Sequence, residues 1–304
     1  SSDLPLNVSR EVMQDSELLR KLNQVLTKRF LRFLNEQSKK EPENYLEFWK
    51  EFGILIKEGA ATDFTYKDDL AKLLRFESTA MEPGKLTGLD EYIDRMAKDQ
   101  KEILFLFGKS RQSIEAGPYL EALKARSLEV LLLTEPVDEY VMQSVREYKE
   151  KKIISADSDE LKLEKLDQEP EGKALNKKDT KSLCKWLKES LKEKVSEVET
   201  GDRLIDSPVC IVGGDGLGGA SARRVMKMMQ GADDGMPTSP VKLQVNQRHP
   251  IIKGLSKLIE SDKETAELIA NQLLDNALAT ANLLDDPREM IARSYKAIEK
   301  LANQ

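Results

Sequence analysis

Ile103-Leu104-Phe105-Leu106-Phe107, closed by Gly108, and Val130-Leu131-Leu132-Leu133, closed by Thr134 and Pro136, are the two short apolar runs on which the fold turns. Neither alternates apolar with polar residues, and both are too short for a buried helix. They read as strands covered on both faces. Helical patterns lie between them, from Ser110 to Arg126, and after them, from Val137 to Lys149. Strands joined through a helix form a βαβ unit with a parallel pair. Lys152 to Ser155 offers a third strand.

Upstream, the pattern is helical. Ser9 is a plausible N-cap. Leu19, Leu22, Leu26, Phe30, Phe33 and Leu34 then recur at spacings of three and four, which predicts one buried face on a long helix fading at Ser38 to Glu41. A second helix carries Tyr45, Phe48, Trp49 and Phe52 and should end at Gly53 or Gly59. A third is predicted over Asp68 to Phe76, with Leu70, Leu73 and Leu74 inward.

Downstream, residues 156–176 are polar and charged, with Pro170 and Gly172, and few of them suit a core. They read as a linker. The chain then restarts with a helix from Lys177 to Leu191 and strands at Lys194 to Thr200, Val209 to Val212 and Val241 to Val245. Three helices follow. Ala266, Ile269, Leu273, Ala277, Ala281 and Leu284 form one apolar stripe, and Ile291, Ser294, Tyr295, Ile298 and Leu301 continue it. Between the stripes, Asp286 can cap, Pro287 fits the first helical position and Glu289 can close a capping box. The predicted class is α+β and helix-rich, ending in a helical hairpin.

Composition excludes several functions. Among 304 residues, 48 Lys and Arg stand against 54 Asp and Glu, a net charge of −6, so a basic field for nucleic acid is missing. No apolar run approaches the ~18 residues of a membrane span. The start lacks a secretory signal and a Met, which suggests a piece of a longer or processed protein. Cys184 and Cys210 are too far apart for a CxxC site and read as reduced intracellular thiols. A single His, His249, argues against His-rich metal sites and Ser-His-Asp chemistry; it sits before Pro250 at a helix start, a structural position.

Four features carry candidate chemistry. Gly214, Gly216 and Gly219 spell G-x-G-x-x-G after a strand, as a dinucleotide site requires. The next strand ends in Asn246-Gln247, with no acidic residue for a ribose, and a plain glycine-rich loop fits as well. Met226, Met228 and Met229 suit either core filling or an adaptable apolar surface for a protein ligand. The terminal hairpin either packs on its own domain or pairs with a second copy in a four-helix bundle. Arg10, in a helix's first turn, opposes the helix dipole, so it serves either an anion such as phosphate or a surface ion pair.

SSDLPLNVSREVMQ (Ser1–Gln14) resembles the catalytic-loop signature of the 90-kDa heat-shock chaperone family, in its middle domain. EFWKEFGILIKEG from Glu47, LAKLLRFEST from Leu70, LTGLDEYIDRM from Leu86, GPYLEALKARSLEVLLLTEPVDEY from Gly117 and HPIIKGL from His249 follow in family order. The resemblance covers nearly the whole chain. QSKK at Gln37 and NLLDDPREM at Asn282 are closer to the bacterial and mitochondrial branches.

The resemblance implies a middle-domain part over residues 1–156, a charged linker over 157–176 and a C-terminal dimerisation domain over 177–304. It implies that Arg10 reaches the γ-phosphate of ATP, held with Mg on an N-terminal domain not present here, and that Gln14, one turn on, supports the catalytic loop. The fragment alone is then expected neither to bind nor to hydrolyse ATP. The family's client-binding segment falls on the glycine loop and methionine helix, making Leu217, Met226, Met228 and Met229 candidate client contacts. Met226 matches a family methionine; the family's tryptophan is absent near Leu217 and Gly218, and Ala222 stands where another methionine is usual. Ile269, Leu273, Ala277, Leu284, Ile291, Tyr295 and Ile298 are the candidate dimer contacts. The implied partners are a second copy and client proteins, with no nucleic acid, membrane or metal. The implied compartment is bacterial cytoplasm or mitochondrial matrix. The competing readings are a dinucleotide enzyme at Gly214–Gly219 and a purely structural dimerisation scaffold.

Overall fold

A computed structural model describes residues 17–164, 172–213, 240–284 and 286–303. Ser9, Arg10 and Gln14, the middle of the predicted linker, the glycine loop, and Leu217, Met226, Met228 and Met229 lie outside the described residues. The helical start comprises α1 (Glu17–Lys40), α2 (Pro42–Thr62) and α3 (Lys67–Ala71). A five-stranded sheet follows, built from β1 (Glu77–Ser78), β2 (Glu102–Phe107), β3 (Leu131–Leu133), β4 (Glu147–Tyr148) and β5 (Lys151–Ser155). Its helices are α4 (Leu89–Arg95), α5 (Arg111–Glu115), α6 (Glu121–Lys124) and α7 (Pro136–Val145).

The predicted parallel pair forms: β2 lies between β3 and β5 and runs parallel to both, with Phe105 opposite Leu131 and Ile103 opposite Ile153. Short β1 and β4 close the edges antiparallel. Because strand side chains alternate between faces, the apolar runs feed two cores. Ile103, Phe105, Leu131, Leu133 and Ile153 pack with Val141 and Met142 of α7 and with residues of α2 and α3. Leu104, Leu106, Leu132 and Ile154 pack with Ile114 and Leu123 and with the downstream half of the chain.

That half holds α8 (Lys177–Leu191), β6 (Val195–Thr200), β7 (Val209–Val212), β8 (Val241–Val245), α9 (Pro250–Ser261), α10 (Lys263–Thr280) and α11 (Arg288–Ala302). Its sheet has the order β6-β8-β7, with β6 parallel and β7 antiparallel to β8.

Several expectations shift. On α1, Leu31, Leu34 and Ser38 are buried, whereas Leu22, Leu26, Phe30 and Phe33 are about half exposed. Of the predicted stripe only Leu34 is fully buried; core contact comes in the last turns, as Leu31 and Leu34 join the cluster that holds α2 and α3. Helix α2 runs through Gly53 and Gly59; a Cβ on Gly53 would come within 2.8 Å of the Trp49 ring. Helix α3 stops at Ala71, although Leu73 and Leu74 beyond it are fully buried. The predicted 110–126 helix is broken at Gly117-Pro118, where the residue before proline is forced extended (φ −82°, ψ 159°). Helix α7 ends at Val145, and Lys149 and Glu150, both at positive φ, form the two-residue turn of a hairpin from β4 to β5.

The start of the predicted linker is packed: Ala156, Asp157 and Leu161 are buried. The guanidinium of Arg203, itself buried, donates to the carbonyls of Ala156 (2.6 Å), Ser158 and Leu161 (2.7 Å). On the other side of the joint, the Glu121 carboxylate accepts the backbone N–H groups of Ile205, Asp206 and Ser207 and the Ser207 hydroxyl. The Tyr119 hydroxyl donates to the Ile211 carbonyl at 2.9 Å. Nothing in local periodicity announces these contacts, which span 42 to 92 positions along the chain.

Candidate functional site

The closing helices form the candidate site that the structure describes best. His249 caps α9, its Nδ1 accepting the Ile251 N–H at 3.1 Å, with Pro250 in the first turn. Burial holds its pKa below the usual imidazole value. The role is structural, as the sequence indicates. Asp262 then caps α10, accepting the Thr265 N–H at 3.0 Å. Helix α10 turns Ala266, Ala270, Leu273, Leu274, Ala277 and Ala281 inward. The small residues let its backbone approach β7 and α8 closely.

Helix α10 ends in a Schellman turn. Asn282 takes φ 57°, the Leu283 N–H reaches the Leu278 carbonyl at 2.9 Å, and the Asn282 N–H reaches the Ala279 carbonyl at 3.1 Å. Asn tolerates this left-handed position better than most residues. Beyond the turn, Asp286 accepts the Arg288 N–H at 2.9 Å, as expected of a cap. The predicted capping box does not close: α11 shows no side-chain cap of its own, and Glu289 instead lies 3.5 Å from Arg293.

Helix α11 meets α10 with its polar side. Arg293 donates through Nε to Asp275 at 2.6 Å, and its Nη2 lies 2.5 Å from the same carboxylate. Asp275 is buried. Near the end of α11, Lys300 donates to the Thr265 hydroxyl at 2.9 Å and lies 3.5 Å from Glu264. The cleft between the two helices, of about 700 Å³, is lined mainly by charged and amide side chains, among them Glu267, Asn271, Lys296 and Glu299. The apolar residues of α11 point away from it: Ile291 is 44% exposed, Tyr295 69%, Ile298 57% and Leu301 71%.

The candidate dimer residues thus divide. Leu273 and Ala277 are consumed by the core of their own chain, and Ile269 and Leu284 are partly buried. Ile291, Tyr295 and Ile298 form the exposed set. The sequence placed all of them on one continuous stripe; the structure turns the two halves to different neighbours. The Asp275–Arg293 pair was not foreseen, because an ion pair 18 positions apart across a turn leaves no periodic signal.

A second charged cluster lies under the odd-numbered face of the first sheet. Lys57 is buried between Asp138, 2.8 Å away, and Glu135, 3.1 Å away, with the Trp49 and Phe76 rings within 6 Å. Burial raises the Asp138 carboxyl pKa on balance, with Lys57 opposing part of the rise. This pair ties α2 to α7.

The dinucleotide reading loses its context. The glycine loop follows β7, and β7 runs antiparallel to its partner β8 in a three-stranded sheet, not in a parallel βαβ pair. Cys184 and Cys210 are free, and burial raises the pKa of both, Cys210 to about 12. Among the described residues, no group of three or more His, Cys, Asp or Glu side chains is placed to hold a metal, and no helix is long and apolar enough to cross a membrane.

Comparison with known proteins finds relatives along the whole chain. The family described as Hsp90 protein matches residues 1–304. The chaperone protein HtpG of Desulfitobacterium hafniense is 44% identical over 301 residues, covering 99% of this chain and 48% of the relative. HtpG of Desulfotalea psychrophila is 39% identical over 310 residues, covering 100% and 50%. The mitochondrial heat shock protein 75 kDa of Bos taurus is 37% identical over 310 residues, covering 99% and 44%. The chain spans about half the length of the curated relatives it matches.

Proposed function

Because the chain belongs to the Hsp90 protein family, we propose that it is the middle-to-C-terminal part of an ATP-dependent dimeric chaperone, divided at about residues 156 and 177. The observation that carries the reading on this chain's own geometry is the exposed stripe Ile291, Tyr295 and Ile298 on a helix whose polar side faces inward. A helix normally turns its apolar side to the core. A second copy offering the same stripe buries both and makes a four-helix bundle.

In this reading ATP and Mg are held by the part of the protein outside this chain, which contributes Arg10. A guanidinium suits a terminal phosphate: its charge is permanent and its N–H donors are arrayed in a planar fork. Set against the γ-phosphate, it offsets the charge that develops in phosphoryl transfer. Gln14, about one helical turn further on, holds the loop that presents Arg10. Leu217, Met226, Met228 and Met229 serve as adaptable apolar contacts for client proteins. The compartment is bacterial cytoplasm or mitochondrial matrix, supported by relatives named as bacterial HtpG and as a mitochondrial heat-shock protein.

Steady-state ATP hydrolysis by the full-length protein tests the catalytic part. Arg10→Ala is expected to cut the rate by about 10²-fold or more while the protein stays folded. An unchanged rate would remove Arg10 from the mechanism. For the client part, Met226→Asp is expected to weaken binding of an unfolded protein; equal binding would take this segment out of client recognition.

A further inference from the structure

The orientation of α11 about its own axis needs a cause. On a helix turning about 100° per residue, Ile291, Tyr295 and Ile298 fall within about 60° of one another, and Arg293 and Lys300 fall on the opposite side. Two seatings on α10 are open to such a helix. In the observed one, its polar side rests on α10 and the apolar stripe faces outward. Rolled by half a turn, it would bury its own stripe on α10 and leave nothing for a second copy. Apolar burial alone favours the rolled seating in an isolated chain.

The charged group that opposes the roll is Asp275. Its side chain is 5% exposed, and Arg293 meets it through both Nε and Nη2. Rolling α11 would carry Arg293 away and leave a buried carboxylate with no cation, a far costlier state than a lost surface pair. Lys300, on Thr265 and Glu264, repeats the restraint near the end of α11 with more exposed partners. Glu289, one turn before Arg293 on the same side of the helix, lies 3.5 Å from it and follows it in either seating.

We infer that the Asp275–Arg293 pair is a positioning device for self-association: it locks α11 with its polar side inward and so keeps the apolar stripe available to a second copy. This rests on the reading of the hairpin as the dimer element. The pair acts through the helix that carries the stripe.

Sedimentation equilibrium on the full chain tests this with three variants. Ile298→Asp tests the underlying reading, and should turn a dimer into a folded monomer. Asp275→Leu combined with Arg293→Leu tests the inference. Replacing a buried pair by apolar residues commonly leaves a fold as stable or more so. Compared at a concentration low enough for both to be monomeric, the double variant is therefore expected to unfold no earlier in urea than the parent, yet at higher concentration to dimerise at least about tenfold more weakly, because α11 is free to roll. If Ile298→Asp leaves the mass of the parent unchanged, the dimer reading falls. If Ile298→Asp gives a monomer while the double leucine variant dimerises like the parent, the inference alone falls. Should the double variant not fold, Arg293→Lys carries the test. It keeps the charge but loses the two-pronged contact, and is expected to weaken dimerisation several-fold; an unchanged dissociation constant overturns the proposal.

Discussion

The parallel strands β2, β3 and β5 and the hairpin of α10 and α11 carry equally strong apolar patterns, yet they use them in opposite ways. In the sheet both faces are covered within the chain, and Ile103, Leu104, Leu131 and Leu133 are almost wholly buried. In the hairpin, α10 spends its stripe on its own core, while α11 shows its stripe to solvent and packs by charge. Periodicity therefore reports that a face is apolar; it does not report which neighbour covers it. That depends on tertiary partners such as Asp275.

The largest effect that sharpens this contrast belongs under the sheet. Lys57→Met leaves the buried Asp138 without its cation and is expected to cost about 3–5 kcal/mol in urea unfolding. Adding Asp138→Leu should recover most of the loss. A small effect of the single change would mean that the cluster is hydrated and not buried.

Next come matched truncations. Leu104→Ala should destabilise by about 2–5 kcal/mol, the usual range for a buried leucine. Ile298→Ala should change the stability of the isolated chain by less than about 0.5 kcal/mol, as for an exposed site, and weaken self-association instead. Equal destabilisation of the monomer by both would erase the contrast between sheet and hairpin.

Much of the fold was legible in the sequence because it depends on local pattern. The paired runs 103–107 and 130–133, helix Lys177–Leu191 and strand Val241–Val245 stand where apolar spacing puts them. What was not legible depends on distant partners. Most apolar residues of α1 point elsewhere than the core, which only Leu31 and Leu34 reach, the early linker is pinned by Arg203, and Arg293 finds Asp275 across a turn. Of the candidate dimer residues, Ile291, Tyr295 and Ile298 are exposed while Leu273 and Ala277 are buried, a division that spacing along the stripe does not reveal.

Smaller effects probe the joint between these regions. Tyr119→Phe removes the donor to the buried Ile211 carbonyl and should cost about 1–3 kcal/mol. A negligible cost would mean that the Tyr119 hydroxyl does not hold the joint, leaving it to the Arg203 and Glu121 hydrogen bonds and apolar contact.

The last effect is electrostatic and shows only at alkaline pH. Burial keeps the Cys210 thiol neutral up to about 12, while the unfolded chain ionises it at the ordinary thiol value. The folded state then binds the proton more tightly, so its contribution to stability is full below the ordinary value and is lost as pH rises toward 12. Cys210→Ala should flatten the alkaline fall in urea midpoint. An identical pH profile would show that this thiol is not the group responsible.

The most direct test of the account is the solution mass of the chain by light scattering at micromolar concentration, before and after Ile298→Asp. The account predicts a dimer that becomes a monomer with unchanged helical circular dichroism. A parent chain that is already monomeric, or a variant that remains dimeric, would contradict the claim that the exposed stripe of α11 is the face on which two copies meet.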